Sequence, residues 1–212
     1  MDKPVIIFGA NGIGMAAYEI FRSHNLMVFG FLDDQEGIHG KEIDDVTVLG
    51  STNDDGYLKY IGHKCEAFVA TDDNEERKGI VKMLNDRRKV MPVNAVHRNA
   101  SLAKSISISH GNFIDDGVVV GANSIIGNHN LIHAGAILEY EVRIHNFIQI
   151  GAGALINAGV TIKEEAFIGT GSIIVSGITI GKNARIGAGS VVIENIENNT
   201  TVFGNPAKPV NM

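Results

Sequence analysis

From Leu102 to Val192 every sixth residue is Leu, Ile or Val, without exception. Sixteen positions carry the pattern, among them Ile114, Ile132, Ile150, Ile168 and Ile186. Two places before most anchors stands a small or β-branched residue, as at Val118, Ser124, Ala136, Ala154, Val160, Ala166, Ser172, Ala184 and Ser190. One place after, glycine recurs at Gly121, Gly127, Gly151, Gly169, Gly181 and Gly187. A strict period of six fits neither the helical repeat nor the alternation of a single strand, and it predicts a solenoid of stacked coils. Three hexads close one triangular coil, giving a little over five coils and a prism roughly 25 Å long at about 4.8 Å per coil. Anchors are expected to face inward, and the recurring glycines to take the corner dihedrals that cost other residues most. Such a prism leaves sheet edges at both ends. The preceding domain and the tail from Glu194 to Met212 are the expected covers, with Glu194 to Glu197 read as solvated.

The first hundred residues have another rhythm. Val5 to Phe8 is a continuous apolar run, as in a parallel strand buried on both faces. It leads into Gly9-Ala10-Asn11-Gly12-Ile13-Gly14 and a helical stretch from about Met15 to Ser23. A second run, Met27 to Leu32, ends in Asp33-Asp34; a third, Ala67 to Ala70, ends in Thr71-Asp72-Asp73-Asn74, with a helix expected over Glu75 to Asn85. This β-α-β spacing predicts a small Rossmann-like α/β sheet with its connections at the carboxyl ends of the strands. The division falls between residues 1–97 and 98–212.

Composition narrows the partners. The 212 residues are 44% hydrophobic and 20% charged, ordinary for a folded chain. A net charge of −6 argues against a nucleic-acid partner, which calls for a basic stripe. One cysteine, Cys65, precludes an intrachain disulfide and suits a reducing compartment. The start at Met1-Asp2-Lys3 is unlike a signal peptide, and no apolar stretch reaches the roughly 18 residues of a membrane span. A soluble cytoplasmic protein without a membrane partner is expected. The histidines have no zinc spacing, so no metal is expected.

These features resemble the bacterial hexapeptide-repeat sugar acyltransferases of the sialic-acid O-acetyltransferase type, which include the N-acetyltransferases of UDP-linked 4-amino sugars. The resemblance covers nearly the whole chain: the opening glycine loop, Phe31-Leu32-Asp33-Asp34, Asp73-Asn74-Glu75-Glu76-Arg77, the hexads, and Gly204-Asn205-Pro206-Ala207-Lys208. It implies a left-handed parallel β-helix after the Rossmann-like domain, assembled as a homotrimer with acceptor sites between neighbouring prisms. It further implies acetyl-CoA as co-substrate, meeting Gln149, Thr170 and Ala188, with Lys208 near a CoA phosphate. The nucleotide sugar would lie on Asn11, Gly12 and Ile13, with Asp33 and Asp34, beside the loop from Thr71 to Asn74.

The chain departs from that family where the chemistry sits. Glu139-Tyr140-Glu141 stands where the family has Glu-His-Asp or Glu-His-Glu, and the missing histidine is the family's general base. Gln149 and Ile13 replace two further histidines. Tyrosine is a weak base that can still donate a hydrogen bond, and Glu141 can accept a proton or orient a neighbour. His133, at a corner where the family commonly has asparagine, is the compensating candidate for a base, supplied from the adjacent prism; otherwise it is a solvated corner residue. His145 is a weaker candidate, and His110 and His129 read as surface turn residues. An amine acceptor suits this equipment better than a hydroxyl, because a neutral amine is already nucleophilic. The sequence leaves two functions open: an acyl-CoA-dependent sugar acyltransferase, or a catalytically degenerate trimer that binds sugar nucleotides as a scaffold.

Overall fold

The structure, a computed structural model, describes residues 3–210. Met1, Asp2, Asn211 and Met212 lie outside the described residues, and with them the leader reading at Met1 and the last two residues of the tail. The chain forms two compact units, Met1–Arg98 and Asn99–Met212.

The first unit contains β1 (Val5–Phe8), α1 (Gly12–Ser23), β2 (Val28–Leu32), β3 (Glu42–Ile43), β4 (Val46–Gly50), α2 (Asp55–Leu58), β5 (Glu66–Val69) and α3 (Asn74–Arg88). Its sheet runs β3-β4-β2-β1-β5, parallel except for the β3/β4 hairpin. The all-apolar β1 lies at the centre, buried at all four residues. Helix α1 lays Ala17, Ile20 and Phe21 into the core, and the Phe21 ring meets the edge of Phe68 at 5.6 Å. It begins three residues before the expected Met15, because Asn11 caps it at Gly12. Helix α3 likewise extends three residues past Asn85. The unforeseen strand β4 buries Val46 and Val48 and turns Thr47 and Leu49 outward, a period-two pattern too short to separate from a loop.

The second unit is a left-handed parallel β-helix with three faces. Each strand is a two-residue pair ending on an anchor, and each pairs in parallel with the pair eighteen residues on, as in Val119↔Ile137↔Leu155. The first face carries Ser101–Leu102, Val119–Val120, Ile137–Leu138, Leu155–Ile156, Ile173–Ile174 and Val191–Val192. The second runs from Ser107–Ile108 to Thr179–Ile180, and the third from Phe113–Ile114 through Gln149–Ile150 and Arg185–Ile186 to Thr201–Gly204. All anchors from Ile114 to Val192 are buried, while Leu102 and Ile108, in the first coil, are half-buried. Polar groups turned inward are satisfied: Asn112 and Asn130 form a ladder, and Ser172 Oγ donates to Gly187 O at 2.9 Å.

The corner reading of the glycines needs correction. Positive φ recurs at every sixth residue from Gly111 to Gly189, a different column from the glycines that follow the anchors. Glycine fills eight of those fourteen corners; Asn123, His129, Glu141, Phe147, Glu165 and Asn183 fill the rest. The glycines after the anchors are instead required by close approach between coils. A methyl group at Gly169 would sit 2.5 Å from Ala188 N, and one at Gly151 2.5 Å from Thr170 N. Two further expectations change. His129 is buried and stacks on Phe147 at 4.9 Å, because its corner faces the next coil. Glu194 to Glu197 continues the helix: Ile196 is buried and bridges Ile180, and Asn195 Oδ1 accepts from Thr179 N. The last coil is shorter, since Ile180 and Ile196, like Ile186 and Val202, are sixteen residues apart.

The two glycine columns predict opposite tolerances. Gly169→Ala is expected to cost about 1–3 kcal/mol through collision with backbone. Gly171→Asn, at a corner with open space and φ of +65°, should change stability by less than about 1 kcal/mol. Thermal melting of both variants checks this; equal losses would show that the columns are not distinct.

Candidate functional site

In the first unit the carboxyl ends of β1, β2 and β5 meet around Asn11. Its Oδ1 accepts from Ile13 N and Gly14 N at 3.0 Å each, and its Nδ2 donates to Ala70 O at 2.9 Å. Asn11 therefore ties the end of β5 to the start of α1. Gly9 has φ of +105° and Gly14 leaves no room for a side chain beside Gly9 O, so the loop is held close to the strands. Gly12 is exposed with nothing over it, and its N–H donates to no atom among the described residues. An outward donor at the N-terminus of a twelve-residue helix favours a negatively charged group. Ile13 is half-buried.

Both candidate aspartates are braces. Asp33 Oδ2 accepts from Ala10 N at 2.8 Å and Oδ1 from Gln35 N at 2.9 Å, fixing the glycine loop against the end of β2. Asp34 accepts from Thr52 N and Thr52 Oγ1 at 2.7 and 2.9 Å, joining β2 to the segment after β4. Asp33 is half-buried and Asp34 exposed, so each keeps acceptor capacity toward solvent. The loop from Thr71 to Asn74 is clamped by a residue the sequence reading did not single out. Arg77 is fully buried, donates to Thr71 O at 2.5 Å and bonds Asn74 Oδ1. Burial lowers its pKa to about 10, against the pull of Asp72 and Asp73, which leaves it charged at neutral pH. Its Nε has no hydrogen-bond partner among the described residues.

In the second unit the corner after the third face forms a groove. One cleft of about 290 Å³ is lined by Asp115, His133, Gln149, Gly151, Phe167 and Thr170, among others. A second, of about 240 Å³, shares Phe167 and continues past Arg185 and Ala188 to Phe203. His133, Gln149, Thr170 and Ala188, separate in sequence, thus lie along one track. Gln149 Nε2 lies 3.2 Å from His133 Nε2. The two groups can share a hydrogen bond in either sense: Nε2 accepts from the amide nitrogen, or, with the amide turned over, Nε2–H donates to its oxygen. The half-buried imidazole also lies 6.0 Å from the Phe113 ring. One residue per coil, at Ala134, Ala152, Thr170 and Ala188, presents a backbone N–H that donates to nothing among the described residues. The coil spacing sets these donors roughly 4.8 Å apart.

Tyr140 and Glu141 are elsewhere in the same chain. They occupy the corner after the first face, with that whole face between them and His133. Tyr140 is 57% exposed, and Glu141 is the exposed left-handed corner residue with φ of +60°. Glu139 accepts from Ala158 N at 3.0 Å, bracing the turn below. One chain alone therefore does not unite the three catalytic candidates. His145 pairs with Glu164 at 2.8 Å on the corner after the second face, and Glu164 is held below the usual carboxylate range by a backbone hydrogen bond first and by His145 second. That engagement removes His145 from the candidate groove. Among the described residues no cluster of three His, Cys, Asp or Glu is placed to hold a metal, and no helix is long and apolar enough to cross a membrane.

Two family models match the chain, one in each unit. The PglD N-terminal domain covers residues 4–84 and the bacterial transferase hexapeptide repeat residues 159–194. No curated protein matches the chain. Among solved structures, a histidine-to-asparagine mutant of perosamine N-acetyltransferase from Caulobacter crescentus, in complex with CoA and GDP-perosamine, is 27% identical. The match covers 100% of this chain and 99% of that one, with a TM-score of 0.90. The acetyltransferase domain of PglB from Neisseria gonorrhoeae, in complex with acetyl coenzyme A, has the same fold at 24% identity, over 99% of this chain and 100% of that one, with a TM-score of 0.89. WeeI from Acinetobacter baumannii has it too, at 22% identity over 99% and 100%, with a TM-score of 0.87. The chain thus carries a PglD N-terminal domain and a bacterial transferase hexapeptide repeat, and over its whole length it is similar to bacterial hexapeptide-repeat sugar acyltransferases.

Proposed function

We propose that this protein transfers an acetyl group from acetyl-CoA to the amine of a nucleotide-linked sugar in the cytoplasm. The observation that carries the reading is the groove that brings His133, Gln149, Thr170 and Ala188 into one track above a ladder of N–H groups that donate to nothing among the described residues. An extended pantetheine arm has two amide carbonyls, and donors spaced by the coil repeat suit it. A solved relative with CoA and GDP-perosamine supports the same pair of substrates. The nucleotide sugar is assigned to the Asn11-Gly12-Ile13 turn, where the Gly12 N–H favours a phosphate, and to Asp33 and Asp34, whose free acceptor capacity suits hydroxyl groups.

The step needs little from the protein. The amine nitrogen attacks the thioester carbonyl, the C–N bond forms, and the C–S bond breaks. The proton leaves to His133 Nε2 and passes to the departing thiolate. Gln149 contacts His133 Nε2 and turns aside as the acceptor amine takes its place there, and donors of the groove stabilise the oxyanion. Glu141 and Tyr140 orient the acceptor from the neighbouring copy.

That arrangement requires an assembly, and the first face supports one. Its outward column after Ser101 is wholly apolar, with Val119, Ile137 and Ile173 at 37–40% exposure, Leu155 between Ile137 and Ile173, and Val191 at the end. Polar residues interrupt the other two columns, at Arg143, Thr161 and Thr179 and at Gln149, Arg185 and Thr201. Packing through this face in a closed three-fold ring sets the His133 edge of one copy against the Tyr140-Glu141 edge of the next. The second reading, a trimer that binds sugar nucleotide without turnover, is favoured by Tyr140 at the base position.

Purified protein with acetyl-CoA and a panel of UDP-, dTDP- and GDP-linked amino sugars should release thiol. Absence of turnover from pH 6 to 9, with nucleotide binding retained, would favour the scaffold reading. His133→Ala should lower kcat about 100-fold while leaving CoA affinity nearly unchanged, and an unaltered rate removes His133 from the mechanism. Ile137→Asp should convert the trimer to smaller species in light scattering; a trimer that persists places the interface on another face.

A further inference from the structure

We infer that Arg185 and the cleft it walls take the phosphate-bearing end of the acyl donor, and that this contact sets the preference for a complete CoA over a bare pantetheine thioester. The inference rests on the acyl-CoA reading of the groove. Its guanidinium lies over the Phe167 ring, 4.8 Å from the centroid. Among the described residues Arg185 makes no ion pair and donates no side-chain hydrogen bond, although its side chain is exposed at the cleft. A planar guanidinium fixed on an aromatic face, with its donors unspent, matches the geometry of a phosphate.

Length agrees. Gln149, Phe167 and Arg185 are in register on three successive coils, and the coil of His133 precedes Gln149. Three coil spacings separate the His133 coil from the Arg185 coil, about 14 Å. The arm from thiol to diphosphate has the bond count of about four extended residues, roughly 14 Å. A thioester beside His133 therefore delivers the phosphates to Arg185. Charge fixes the direction. The opposite end of the track is walled by Asp115, whose carboxylate would repel phosphates in a reversed ligand. Lys208, the residue expected to meet a phosphate, is instead turned to Glu194 at 3.4 Å.

Calorimetry on the full chain tests the assignment without an acceptor sugar, using CoA, dephospho-CoA and pantetheine as ligands. Arg185→Ala should weaken CoA at least about tenfold and leave pantetheine binding and the melting temperature unchanged, with Arg185→Lys restoring part of the loss. If dephospho-CoA binds the wild type as CoA does and weakens equally in the variant, the contact is the diphosphate. If it already binds the wild type as weakly as CoA binds the variant, the contact is the 3′-phosphate. CoA binding undiminished in Arg185→Ala, or an equal loss for pantetheine, overturns the inference and leaves the acyltransferase reading standing. A wild type that binds no CoA overturns that reading, and this one with it.

Discussion

The parallel pairing of each coil with the residue eighteen places on is the constraint from which the groove follows. Two-residue strands are too short to be stable alone, so each coil is held by buried aliphatics inside and by hydrogen bonds to its neighbours. Once that register is set, residues with no sequence relation except multiples of eighteen form columns. Asp115, His133, Gly151, Gly169 and Gly187 make one such column, and Asp116, Ala134, Ala152, Thr170 and Ala188 make the next. The groove is the space these columns leave: mostly small residues, with His133 and Gln149 toward one end and Arg185 toward the other.

The same constraint explains why two columns of glycine have different causes. At the corner from Gly111 to Gly189 the backbone must be left-handed; asparagine enters that region readily, and histidine, glutamate and phenylalanine are tolerated because the cost is only about 1–2 kcal/mol per residue. After the anchors the chain runs against the next coil, and a single methyl group meets main-chain atoms that cannot move aside. Gly151 and Gly187 also line the clefts without filling them, which links a packing requirement to the extended ligand proposed for the groove.

In the first unit, the residues proposed to meet the nucleotide sugar also hold the loops. Asn11, Asp33 and Asp34 spend their side chains on backbone and on Thr52, and Arg77 spends a buried charge on the loop from Thr71 to Asn74. What remains for a ligand is the Gly12 N–H and the unused acceptor capacity of two carboxylates. In the proposed site these hydrogen bonds hold the loops before any ligand arrives, which would lower the ordering cost of binding.

Much of this was legible in the residues alone. The hexad anchors specify the prism because a period of six has few structural solutions, and the apolar run of Val5 to Phe8 specifies a central strand because both its faces must be buried. The resemblance named Gln149, Thr170 and Ala188, and the departures from it singled out His133. The shortened last coil, the burial of His129 and the strand β4 escaped the sequence, since each depends on what a neighbouring coil or strand supplies. Tertiary structure alone decided that His133 and Gln149 touch, that Tyr140 and Glu141 lie a full face away, and that Arg185 rests on Phe167 at the far end of the same track. Periodicity fixes which residues face inward, but contacts across coils depend on side-chain reach and on the corner each chain segment turns, and no linear pattern encodes those distances.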